Sequence, residues 1–155
     1  MTLRFVWVGK TKRPPMRELI DFYLDRVRKF ARVEISELRD CDDVGGDRRK
    51  VVEREGEAVL AQVAADPFVV LMDERGQTMD SFHLANFVEK AMVAGTKKMT
   101  FVLGGHSGVS DAVRRRADIT LALSAMTLTH EMARLLLAEQ VYRAFTIIQH
   151  LPYPK

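Results

Sequence analysis

The sequence is short of cysteine, of long apolar runs and of charge imbalance, and each shortage removes a class of protein. Cys41 is the one cysteine, so neither an internal disulfide nor a cysteine-rich metal site can form, and a reducing, cytoplasmic setting is expected. The longest uninterrupted apolar run, Phe68–Met72, has five residues, against the roughly 20 that a membrane helix needs. Lys10, Lys12 and Arg13 interrupt the first apolar stretch before it could serve as a secretory signal. Lysine and arginine number 24 and aspartate and glutamate 21, a formal net charge of +3. An anionic partner therefore has to be met by a local patch and not by a global field. His83, His106, His130 and His150 share no ligand spacing, and Arg134 stands where a His-Glu-x-x-His helix would place its second histidine. No metal is expected. Repeats, low-complexity linkers and composition breaks are also missing, which points to a single domain over residues 1–155.

What remains is 155 residues, 47% hydrophobic and 29% charged, long enough to bury about 68–70% of the unfolded surface without a staple. Strand and helix signals alternate along it. Leu3–Gly9 reads as a buried strand, and Pro14-Pro15 opens a helix over Met16–Ala31 with Leu19, Ile20, Tyr23, Val27 and Phe30 on one side. Val33, Ile35 and Leu38 suit a second strand, Asp40–Asp47 a loop, and Arg48–Ala65 a helix whose stripe is Val52, Val59 and Val63. Phe68–Asp73 reads as a strand ending in the turn Glu74-Arg75-Gly76. Ser81 is placed to cap Phe82–Ala94, Met99–Leu103 is a further strand, and Ser110 caps a short helix through Ala117. Ile119–Leu123 and Thr129–Gln149 supply the last strand and helix. Apolar strands without a polar face, alternating with helices, predict an α/β layered fold with a mainly parallel sheet flanked by helices.

Ligands of such sheets bind beyond the carboxyl ends of the strands. The loops at Met72-Asp73, Gly104-Gly105 and Ser124–Thr129 are therefore the default site. Gly104-Gly105-His106-Ser107-Gly108 serves equally as a tight turn or as a loop that lets backbone approach a ligand; it is neither a Walker loop nor a dinucleotide fingerprint. Ser124–Thr129 is either a capped helix start or a set of free N–H groups for polar ligand atoms. Glu139 and Arg143, four apart on a helix that is apolar nearly all round, form a structural ion pair or aim an arginine at an oxyanion. Arg114-Arg115-Arg116 is a solvated face or an RNA contact, and the tail His150–Lys155 either frays or closes over a base.

In order along the chain stand Val8-Gly9-Lys10, Glu55-Gly56, Leu71-Met72-Asp73 with Gly76, and Phe101-Val102-Leu103-Gly104-Gly105 with Gly108. Leu123-Ser124-Ala125-Met126-Thr127-Leu128 with His130, Glu139-Gln140-Val141-Tyr142-Arg143-Ala144 and Pro152-Tyr153 complete the series. With these residues the sequence resembles, over essentially its whole length, the RlmH-type methyltransferases of the SPOUT, or α/β-knot, superfamily, which methylate N3 of a pseudouridine in 23S ribosomal RNA. The resemblance implies a C-terminal deep trefoil knot, bound S-adenosyl-L-methionine and a homodimer with a shared active site. It places the cofactor at Met72, Gly105 and Ser124, Ala125, Met126, Thr127, Leu128 and Thr129, with Leu103 and Gly104 as near neighbours. Two positions depart from the family: Pro154 follows Tyr153 where the family usually has histidine, and Thr129 precedes His130 where it favours proline.

An imide nitrogen is a poor nucleophile while protonated, so a group must take its proton or stabilise charge on the flanking carbonyls. His130 and Glu139 are the candidates for the first task, Arg143 and Lys155 for the second; Tyr153 is placed to stack on the base, and Arg4 and Lys10 to meet phosphate. A charge of only +3 argues against tight binding to bare RNA, and the resemblance implies the assembled ribosome as the substrate. Two alternatives stay open: a ribosome-associated factor without transfer activity, and a SPOUT enzyme with another RNA target.

Overall fold

Five strands form one sheet: β1 Thr2–Val8, β2 Arg32–Leu38, β3 Val69–Thr78, β4 Lys98–Leu103 and β5 Ile119–Ala122; β1 and β4 are apolar nearly throughout, while β2 keeps an exposed polar set. The computed structural model describes residues 1–41 and 47–153. All pairings are parallel, in the order β2-β1-β4-β3-β5. Between the strands run α1 Pro14–Val27, α2 Arg48–Val63, α3 Ser81–Val93, α4 Asp111–Arg116 and, last, α5 His130–Ile148.

Alternate strand residues point to opposite faces, and both faces are covered. Leu3, Phe5 and Trp7 of β1 and Phe101 of β4 pack with Ile20 and Leu24 of α1, Leu84 and Val88 of α3 and Leu137, Val141 and Phe145 of α5. Val6, Val8, Leu71 and Val102 face Val59 and Val63 of α2 and Val113 of α4. Phe5 stacks on Phe101 with ring centroids 5.6 Å apart, in the middle of the first layer.

The helix caps follow the local rules with one change. Ser110 accepts from Val113 N and Thr129 from Met132 N, as expected of N-caps. At α3 the cap is Asp80, whose carboxylate accepts from His83 N at 2.7 Å. Ser81 instead lies inside the first turn, which frees its hydroxyl for another partner. Two stripes also rotate by a position. Leu24 is fully buried where Leu19 had been expected, Leu19 being 46% exposed, and Val51 replaces Val52 in the core. β2 lies at the sheet edge with one neighbour, and Ile35 is accordingly exposed.

β3 does not end at Glu74-Arg75-Gly76. Its pairing with β5 breaks after Met72↔Leu121 and resumes at Gln77↔Leu121, so the expected turn is an excursion within a longer strand. Gly76 allows this, because a Cβ there would lie 2.6 Å from the Leu121 carbonyl carbon.

At the opposite end of the sheet from the strand termini, Asp66 gathers a polar cluster. Its Oδ2 accepts from Thr100 Oγ1 at 2.8 Å and from Arg4 Nη1 at 3.0 Å, and Lys98 Nζ stands 3.3 Å from Oδ1. Arg4 also donates to Gln62 O at 2.8 Å and to Ser36 Oγ at 3.2 Å. This corrects the reading of Arg4 as a phosphate contact: its guanidinium is committed to the framework. Arg114 and Arg116 are similarly engaged, the first with Asp73 and the second with Val63 O and Asp66 O. Of that arginine triplet only Arg115 is exposed.

Candidate active site at the carboxyl ends of the strands

Parallel strands bring their carboxyl ends to one side of the sheet. Trp7 pairs with Leu103, Leu103 with Met72, and Met72 with Leu121, so the loops leaving β1, β4, β3 and β5 emerge side by side. Beneath them lies a cavity of about 300 Å³ with Met72, Leu84, Phe101, Leu121, Leu123 and Leu137 among its walls and Asp80, Ser81 and Gln140 at its polar side. Apolar walls with a few placed polar groups are typical of small-molecule sites. A larger depression of about 350 Å³ opens beside β1, β2 and α1 at Trp7, Arg17 and Glu37. None of the expected cofactor residues line it.

The glycine loop is tightly packed on its outer side. Glu55 is 3% exposed; its Oε1 accepts from Cys41 N at 3.0 Å, while Oε2 has no hydrogen-bond partner among the described residues. Burial pushes its carboxyl up, more than the Cys41 N–H and His106 push it down. A Cβ on Gly105 would sit 2.6 Å from that Oε2 and 3.1 Å from Val8 Cγ1, so any larger residue there would have to displace the Glu55 carboxylate. Gly105 and Gly108 form an isolated bridge, with Gly108 at φ +99°.

The start of α5 anchors the loop after β1. Glu131 Oε1 accepts from Lys12 N at 2.6 Å, and Arg13 N lies at 3.4 Å. The Lys12 N–H, outweighing burial, holds this carboxyl below its ordinary range. Arg134 is fully buried, donates to Val8 O at 2.7 Å and to Thr11 Oγ1 at 3.0 Å, and lies over the Trp7 ring. Residues 9–13 are thus pinned beside the Ser124–Thr129 loop, with Lys10, Lys12 and Arg13 exposed. His130 is half-buried here. Burial, aided by the Arg134 charge, lowers its pKa below 6.5, which keeps the imidazole neutral near pH 7.

In the Ser124–Thr129 segment Ser124 Oγ accepts from Met126 N at 2.9 Å, and Thr127 Oγ1 donates to Glu74 Oε2 at 2.9 Å. Ala125, Met126, Thr127 and Thr129 are exposed; Leu128, Gly104 and Gly105 are half-buried, and Leu103 is buried at 3%.

Glu139 and Arg143 stand apart from His130. Glu139 lies nine positions beyond His130 on α5, about 13 Å along the axis. Glu139 Oε1 accepts from Arg143 Nε at 3.0 Å, Arg143 Nη2 at 2.6 Å and Tyr153 OH at 3.2 Å, and Oε2 accepts from Gln140 Nε2 at 2.7 Å. Glu139, expected to take a proton, here holds three other side chains in place. Tyr153 lies with its ring edge-to-face on Tyr142 at 4.9 Å and under the Arg143 guanidinium at 4.5 Å. Burial, then its hydrogen bonds with Tyr23 and Glu139, push its hydroxyl well above the usual range, so it stays protonated. Lys155 lies outside the described residues.

Met79, Ser81, Gln140, Glu55, Glu131 and Arg134 had been given no role in the site. The spacing of Leu137 and Gln140, three apart on one face of α5, was the available signal for Gln140.

Comparison with known proteins identifies the family and agrees with the fold. A family model described as "Predicted SPOUT methyltransferase" matches residues 1–154. The "Ribosomal RNA large subunit methyltransferase H" of Trichlorobacter lovleyi is 42% identical over 153 residues, covering 99% of each chain. The protein of the same name from Christiangramia forsetii is 38% identical over 154 residues, covering 99% of this chain and 98% of its own. Among solved structures, a probable methyltransferase from Bordetella pertussis superposes with a TM-score of 0.59 at 14% identity, over 92% of this chain and 93% of that one. It supports the fold alone.

Proposed function

The chain belongs to the SPOUT methyltransferase family, and from that premise we propose that it transfers a methyl group from S-adenosyl-L-methionine to N3 of a pseudouridine in 23S ribosomal RNA, on the assembled ribosome. The observation that carries the reading is the cavity at the ends of β3 and β5. Its apolar walls suit an adenine ring, and Met72 and Leu123 in it adjoin the loops Gly104-Gly105 and Ser124–Thr129, which would hold the rest of the cofactor. When bound, S-adenosyl-L-methionine supplies a methyl group already activated on sulfur, so the protein's work is alignment, proton removal and exclusion of water.

His130 suits proton removal: it is neutral near pH 7, half-buried, and joined directly to the cofactor loop through Thr129. Arg143 and Tyr153, held together by Glu139, form a cation and an aromatic face for charge stabilisation and stacking on the acceptor base. Lys10, with Lys12 and Arg13, supplies exposed positive charge on the same side of the sheet for phosphate. The trefoil knot and a homodimer belong to the same proposal. Met126, Phe82 and Met132, exposed at 77%, 63% and 37%, are the kind of surface that a second subunit covers. No helix among the described residues is long and apolar enough to cross a membrane; a cytoplasmic site of action follows from the proposed substrate.

The test is transfer of labelled methyl to ribosomes and to protein-free ribosomal RNA. Label in the large-subunit RNA of ribosomes is expected, with less in free RNA. Co-sedimentation without label would favour a non-enzymatic factor. The same assay across pH should show an acid limb below pH 6.5, because the His130 imidazole gains its proton only below its lowered pKa, and His130→Gln should remove that limb. A limb unchanged in His130→Gln would assign the proton to another group.

A further inference from the structure

Between the cavity and the C-terminal segment runs a continuous hydrogen-bonded chain that spans three elements. Ser81 Oγ donates to Gln140 Oε1 at 2.6 Å, Gln140 Nε2 donates to Glu139 Oε2 at 2.7 Å, and Tyr153 OH donates to Glu139 Oε1 at 3.2 Å. Ser81 and Gln140 both line the cavity; Tyr153 lies fourteen residues beyond Glu139 in the sequence. The polarity of the chain is fixed by its end. An ionised carboxylate only accepts, so the amide of Gln140 must turn its NH₂ toward Glu139 and its oxygen toward Ser81. Glu139 Oε1, which takes the Tyr153 hydroxyl, also takes two N–H groups of Arg143, so the position of one carboxylate sets both the aromatic and the cationic group.

We propose that Gln140 is a positioning residue that couples occupancy of the cavity to docking of the C-terminal segment, so that Tyr153 and Arg143 are presented when the cofactor is in place. The inference rests on the cofactor reading above. A ligand filling the cavity bears on Ser81 and Gln140 directly; through the amide it stabilises the Glu139 orientation that accepts Tyr153. A docked tail in turn favours the filled cavity, since coupling between two sites is reciprocal.

Hydrogen exchange of the His150–Tyr153 peptide in the full chain, with and without S-adenosylhomocysteine, tests this without turnover. In the native chain saturating ligand is expected to slow exchange by about fivefold or more, within the usual range of coupling between sites. In Gln140→Leu and in Tyr153→Phe, calorimetry should show the ligand still bound, with its affinity lowered by about the same fivefold factor that reciprocity requires, while the slowing is lost. Ser81→Ala, a rim substitution that spares the helix, should reduce the slowing too. With ribosomes as acceptor, Gln140→Leu should lower kcat by about tenfold or more, a misplacement effect, while the KM for S-adenosyl-L-methionine rises only by about the fivefold coupling factor. Equal slowing in native and Gln140→Leu chains would overturn the proposal, as would ligand binding to the native chain with no slowing. Failure of the native chain to bind the ligand by calorimetry would overturn the cofactor reading itself, and this inference with it.

Discussion

Asp66→Ala is expected to lower the free energy of unfolding by about 3–5 kcal/mol, as when one partner of a buried charge pair is removed. Asp66 is 6% exposed and Thr100 fully buried. Without the carboxylate, the Thr100 hydroxyl loses its acceptor and the Arg4 guanidinium its anion, while Gln62 and Ser36 still hold Arg4 in place. Burial by itself would raise the Asp66 pKa, but the Thr100 hydroxyl, Arg4 and Lys98 together outweigh it and hold it below 3.8. With the folded value below the unfolded one, the group's contribution is complete above the ordinary carboxylate range. It disappears as pH falls from there through the folded value. Urea denaturation should therefore show the stability gap between the native chain and Asp66→Asn holding constant from about pH 7 to pH 5 and shrinking below about pH 4. A gap that widens on acidification would contradict the assignment.

Met72→Trp should cost about 100-fold or more in affinity for S-adenosyl-L-methionine, some 2.7 kcal/mol, with the fold retained. Met72 is half-buried at the cavity wall, between Leu103 and Leu121 in register and against the first core layer, so a larger ring there occupies space the adenine needs. Leu19→Trp, at a position 46% exposed on α1, is the control and should leave affinity unchanged. Native affinity in Met72→Trp would move the cofactor out of this cavity.

Features with short-range causes were legible in the sequence. The buried strands β1 and β4 follow from apolar runs, and the caps at Ser110 and Thr129 from residue type at a helix start. The convergence of the Met72, Gly104 and Ser124 loops followed from the rule for parallel sheets, and the sheet is parallel throughout. Features with remote causes were not legible. Gly76 reads as a turn residue until the β5 backbone is seen against it, and the continuation of β3 depends on that contact. Arg4 looks like a free cation because its partner Asp66 lies 62 positions away. Arg134 bonds Val8 across 126 positions, and Ser81 meets Gln140 across 59. Helical periodicity placed the first two helix stripes to within one residue; that was enough to bury the wrong neighbour at Leu19 and Val52.

The most direct measurement is nucleoside mass spectrometry on large-subunit RNA, taken from ribosomes that lack the modification, after incubation with the purified protein and S-adenosyl-L-methionine. One methyl group on a pseudouridine base, at N3, is the predicted product. Methyl on a different nucleoside, or none while the cofactor binds, would contradict the account.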